Sequence, residues 1–163
     1  MFRSPRTLAP TGRPGWVVAG CVASLLAAGA LYAPRSAAGQ APTTRLFAGD
    51  GGMVLNFIKP DKTADFEMVM GKLKEALQKS AKPERKQQAA SWKVFKSPDP
   101  AAGGNVLYVF MIDPSVKDAD YTVSNILAEA FPAEVNALYT KYAEAYATGQ
   151  NFVNLSLVAD LGK

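Results

Sequence analysis

Hydrophobic and polar positions change rhythm several times after residue 52, and each rhythm names an element. Met53 to Ile58 alternates in twos, with Met53, Leu55 and Phe57 on one side and Val54, Asn56 and Ile58 on the other, the period of a strand. Lys59-Pro60-Asp61 stops it. Thr63 stands where a helix N-cap belongs, with Asp65 and Glu67 placed to meet the positive end of the helix dipole. Phe66, Val69, Met70, Leu73, Ala76 and Leu77 recur at three- and four-residue steps, which predicts a helix with one apolar face, fading near Ser80. Ser91 to Lys96 predicts a short strand and residues 97–104 (SPDPAAGG) a turn. Asn105 to Asp113 is the longest apolar, β-rich run and reads as the central strand, closed by Pro114. Val123, Ile126, Leu127, Ala130 and Phe131 mark a second helix. After Pro132, the stripe Val135, Leu138, Tyr139, Tyr142, Ala145 and Tyr146 marks a third, with Gly149 as its C′ residue. Phe152 to Ala159 alternates again and predicts the last strand.

That order, with the last two helices counted as one unit, is βαββαβ: an α+β, ferredoxin-like domain whose four-stranded antiparallel sheet carries its helices on one face. Both faces of the first and third strands are apolar, so the face without helices needs a cover as well. In element order and in these two-faced strands, residues 52–160 resemble the dimeric α+β barrel group, including antibiotic-biosynthesis-monooxygenase-like proteins. The resemblance implies a homodimer with two sheets packed face to face and a cavity between sheet and helices. Haem-degrading and metal-using branches of that group place a His in the pocket, and this chain has no His.

The N-terminal pattern is of another kind. Arg3, Arg6 and Arg13 precede an uncharged run from Trp16 to Ala33, and small residues Ala37-Ala38-Gly39 precede Gln40. These are the parts of a secretory signal, so residues 1–39 are expected to be cleaved and the protein exported, periplasmic or extracellular. Residues 16–33 are also just long enough to span a bilayer, which keeps an uncleaved membrane anchor as the alternative, although Ala and Gly make the run weakly apolar. Val18-Ala19-Gly20-Cys21 resembles a lipobox, but most of the apolar run follows Cys21 instead of preceding it. Residues 40–51 (QAPTTRLFAGDG) read as a linker, leaving 52–160 as the folded domain.

Charge changes the picture once the leader is set aside. The chain carries 18 basic and 14 acidic residues, and four of the basic ones, all Arg, lie in residues 1–39 with no acid among them. The remainder balances at 14 against 14, without the cationic surplus a nucleic-acid-binding domain needs. Lys79, Lys82, Arg85 and Lys86 read as a solvated helix end and loop. The only Cys, Cys21, lies in the leader, so the domain is expected to hold together by core burial without disulfides.

Candidate chemistry is sparse. Gly49, Gly51 and Gly52 precede a strand, not a helix, and so lack the context of a phosphate-binding loop. Asp113, Asp118 and Asp120 form an acidic cluster that suits a helix N-terminus, with a weak Ca²⁺ site as the alternative. No cofactor is expected. The polar and amphipathic strand residues Asn56, Trp92, Tyr108, Asn154 and Ser156 are the candidate ligand-binding set, since strand alternation can turn several of them toward one cavity. Their plain alternative is core packing for Trp92 and Tyr108 and solvent exposure for Asn154 and Ser156. Tyr139, Tyr142 and Tyr146 follow helical spacing and read as packing. The expected function is an exported dimeric module that binds a small apolar ligand or a protein partner. A cofactor-free monooxygenase-like enzyme that orients substrate with Asn, Tyr and Trp, its acid–base group Tyr108 or a carboxylate, is the second reading. A structural or accessory envelope protein is the third.

Overall fold

The computed structural model describes residues 44–162; every reading of the N-terminal run, and residues 40–43 of the linker, lie outside that range. Strands β1 (Gly51–Ile58), β2 (Trp92–Pro100), β3 (Val106–Ile112) and β4 (Asn151–Leu155) form one antiparallel sheet in the order β2-β3-β1-β4. Helices α1 (Thr63–Lys79), α2 (Pro83–Ser91), α3 (Val123–Ala130) and α4 (Val135–Ala145) accompany it. The fold is α+β and ferredoxin-like, as the sequence pattern predicts.

The register settles which face the helices cover. Val54, Asn56 and Ile58 of β1 lie opposite Phe110, Tyr108 and Val106 of β3. All but Val106 are buried, and they pack with Phe66, Val69, Leu73 and Leu77 of α1 and Ile126 and Leu127 of α3. Each large apolar side chain among them, Asn56 excepted, stabilises the fold by about 1.5–3 kcal/mol before entropy is charged against it. Met53, Leu55, Phe57, Leu107, Val109 and Met111 point to the other face, are half-buried, and take no part in that core. Phe95 joins them at 53% exposure.

Several elements depart from the sequence expectation, each for a local reason. Thr63 is the first residue of α1, not its cap: a 3-10 turn at Pro60–Lys62 feeds straight into the helix, and the Thr63 hydroxyl donates to the Pro60 carbonyl at 3.3 Å. α2 replaces the expected solvated loop. Its sequence (PERKQQAAS) has no apolar stripe, and its inward side chains are Arg85, Gln88 and Ser91. Arg85 is only 7% exposed; it pairs with Glu129 (3.2 Å) and donates to Gln88 Oε1 (2.8 Å) and the Asp120 carbonyl (2.6 Å). β2 runs on to Pro100 through an irregularity between Lys96 and Pro100, tolerated because it is an edge strand.

α4 stops at Ala145, so Gly149 lies beyond its C′ position. Main-chain bonds from Lys59 to the Ala145 carbonyl (2.9 Å) and from Ala147 to the Phe57 carbonyl (2.9 Å) draw Tyr146 into extended conformation against Ile58. β4 ends at Leu155, because β1 begins at Gly51 and offers no partner further on. The segment before β1 is packed down instead of free: Phe47 is buried and stacks on Phe152 with ring centres 4.1 Å apart.

Candidate functional site

A cleft of about 460 Å³ opens between the start of α3, α4 and the helix-facing side of the sheet. Val54, Phe110 and Phe152 form its floor, and Tyr121, Tyr139, Tyr142 and Tyr146 supply aromatic walls. Thr122, Ser124, Asn125 and Thr148 line its polar side, with Arg45 and Gln150 beside them.

The inner wall is backed by a compact polar cluster. Asn56 is fully buried, and its Nδ2 donates to the Val54 and Tyr108 carbonyls, both at 3.1 Å. That fixes its Oδ1 toward the cleft, where it accepts from the Tyr146 hydroxyl (2.9 Å) and Gln150 Nε2 (2.7 Å). The hydroxyls of Tyr142 and Tyr146 lie 2.7 Å apart, and both are in reach of Gln150 Nε2. Burial raises the phenol pKa of Tyr142 and of Tyr146 above the ordinary tyrosine value, and the neighbouring Tyr142 hydroxyl adds to the rise at Tyr146. Both rings therefore stay protonated at neutral pH and serve as hydrogen-bonding groups, not bases.

Arg45 is positioned by its main chain. Its N–H donates to Asp120 Oδ1 and to Thr122 Oγ1, each at 3.0 Å. Asp120 also accepts from the Thr122 N–H (2.8 Å) and from Asn125 Nδ2 (2.7 Å). Burial on its own would raise the Asp120 pKa, but these donors outweigh it and hold the carboxyl below the usual carboxylate range. Asp120 thus spends its oxygens ordering the entry to α3. The Arg45 guanidinium, swung into the cleft, donates through Nη1 to Gln150 Oε1.

Of the five strand candidates none lines the cleft, and Asn56 alone is bonded to side chains that do, Tyr146 and Gln150. Tyr108 is buried on the same face but turns toward α1: its hydroxyl donates to Glu67 Oε1 at 2.5 Å, and Lys96 pairs with the same oxygen at 2.9 Å. Burial raises the Tyr108 pKa and the bond to Glu67 raises it further, while the Tyr108 and Lys96 donors lower that of Glu67. Trp92 lines a separate apolar groove with Met70, Leu73, Leu77, Ala89 and Val94. Its Nε1 is buried with no hydrogen-bond partner among the described residues. Asn154 is exposed, accepting from the Ala48 N–H at 2.9 Å, and Ser156 lies in solvent beyond the end of β4.

The periodicity marks Tyr142 and Tyr146 but predicts packing alone for them. Arg45 and Gln150 lie in aperiodic segments and gave no signal beyond being polar. No protein-family model matches the chain, and no curated protein or solved structure is significantly similar to it.

Proposed function

We propose that this chain is an exported small-molecule-binding module that works as a homodimer, with the cleft between α3, α4 and the sheet as its ligand site. The carrying observation is the cleft itself: its volume of about 460 Å³, aromatic walls and convergent polar groups are the make-up of a small-molecule pocket. Binding is favoured over turnover because the chain has no His, no carboxylate lines the cleft, and Tyr142 and Tyr146 stay protonated. The accessory-protein reading leaves the cleft without a role.

Dimerisation is supported by the apolar sheet face that no helix covers among the described residues, which carries Leu55, Phe57, Phe95, Val109 and Met111. Kinship with the dimeric α+β barrel group belongs to the same proposal; strand order and that open face are its support. Export rests on the N-terminal pattern alone.

Thermal unfolding in the presence of a small-molecule extract of the host tests the ligand site. A ligand present at a hundred times its Kd adds about 2.7 kcal/mol of stability, a shift of many degrees for a domain this size. The native protein is expected to gain that shift. Ala143→Trp, which fills the cleft from an exposed helix position, is expected to gain none. Equal shifts in both proteins would place the ligand elsewhere.

A further inference from the structure

The chemical class of the ligand follows from counting charges and hydrogens around the cleft. Arg45 is the only formally charged side chain among the residues that line it. Its guanidinium carries five N–H donors, and the acceptor it meets, Gln150 Oε1, is neutral. Among the described residues no carboxylate lies within ion-pair distance of it.

The neighbouring polar cluster has nothing left to donate. The Gln150 amide brings two hydrogens and the two phenols one each. Asn56 Oδ1 and the two phenol oxygens lie within 2.7–3.0 Å of these donors and absorb them inside the cluster. Beside this saturated cluster, the charged donors offered to a ligand are those of Arg45, with the neutral Ser124 and Thr148 hydroxyls on the same lining. An excess of cationic donors beside an aromatic hollow is complementary to an acid with a flat apolar body.

We propose that the cleft binds an organic carboxylate carrying an aromatic or similarly flat apolar group, the carboxylate paired with the Arg45 guanidinium and the ring against Tyr121, Tyr142, Tyr146 and Phe152. This rests on the ligand-binding reading above and names the substance bound. The planar fork of the guanidinium suits a carboxylate bidentately, and the pairing takes place beside apolar walls where water screens it less than at an open surface. Proximity of the Phe152 and Tyr121 rings leaves the apolar part of the ligand a surface to cover, and cation–π contact is not needed to hold it.

The test compares 1-naphthoate with the neutral, isosteric 1-naphthamide, titrated into the isotopically labelled protein and followed through backbone amide shifts. Naphthoate is expected to move the amides of Val123, Asn125 and Gly149, and to bind about tenfold or more tightly than the amide. Arg45→Gln is expected to remove that preference while naphthamide still binds. The substitution spares the main-chain bonds that dock residue 45, so the amide spectrum away from the cleft checks that the variant is folded. Equal affinity of the two compounds at the cleft, or a preference that survives in Arg45→Gln, overturns the carboxylate assignment and leaves the binding site standing. If neither compound moves the cleft amides at millimolar concentration, the binding site falls with it.

Discussion

Asn56 is a polar residue at the centre of an apolar strand face, and all its amide valences are taken: two hydrogens by main-chain carbonyls, two lone pairs by Tyr146 and Gln150. Removing it strands buried partners, so Asn56→Ala is expected to cost about 2–4 kcal/mol of stability. Asn56→Asp is more discriminating. The new carboxyl has no hydrogen for the Val54 and Tyr108 carbonyls once ionised, so burial raises its folded-state pKa. A raised carboxyl pKa means the penalty grows as pH climbs above the unfolded value of about 3.9. Urea unfolding relative to the native chain should show a loss of about 3 kcal/mol or more at pH 7 that shrinks at pH 4; an equal loss at both would mean the side chain is not buried as described. Tyr108→Phe, which loses only the bond to the half-exposed Glu67, is expected to cost no more than about 1 kcal/mol. At this scale the sequence showed Asn56 plainly, as the polar break in an apolar stripe. Arg45 and Gln150 were invisible because a residue's worth in a cleft depends on long-range neighbours, Asp120 and Asn56, that no local period encodes.

The elements were legible wherever burial of one face imposes a period: α1, β1, β3 and α4 all announce themselves through their apolar spacing. α2 did not, because its inward face is Arg85, Gln88 and Ser91, held by bonds from the Arg85 Nη atoms and Gln88 Nε2 to Asp120 and Glu129 in place of an apolar stripe. Arg85 Nε and the Ser91 hydroxyl are buried without a hydrogen-bond partner among the described residues. The ends of α4 and β4 are set by what β1 offers them, a tertiary effect. Packing of the segment before β1 is the third case. A Cβ at Gly52 would lie 1.9 Å from the Phe47 ring, so glycine is what lets that ring close over the strand. Gly52→Ala is expected to push Phe47 off Phe152 and destabilise the domain by about 1–3 kcal/mol, read from the urea midpoint. Because residue 45 is docked two positions before Phe47, the same variant should weaken ligand binding. Asp120 adds a pH dependence to this region: its folded pKa is lowered, so its contribution is complete above the unfolded value and is lost as pH falls through the lowered one. Asp120→Ala should remove part of the native protein's loss of stability below pH 4.

At the scale of the molecule, one sheet face is covered by helices and the other by no element among the described residues. Four strands about 4.8 Å apart and about seven residues long at roughly 3.3 Å each give a flat area of about 450 Å². A standard interface needs about 800 Å² from each partner. The face alone is too small, and the exposed apolar residues after β4 offer further area for a partner to cover: Leu157, Val158 and Leu161 are 71%, 97% and 97% exposed. Ending the chain at Leu155 is therefore expected to weaken the proposed dimer about tenfold or more by sedimentation, while leaving the monomer folded. Val109→Lys, at the centre of the open face, should abolish it.

Native mass spectrometry of the protein purified from its own host bears most directly on the whole account. A dimer carrying one small acidic adduct per chain is expected, and Ala143→Trp should give the same dimer without the adduct. Chains that arrive bare, or an adduct that Ala143→Trp retains, would contradict a ligand site in the cleft.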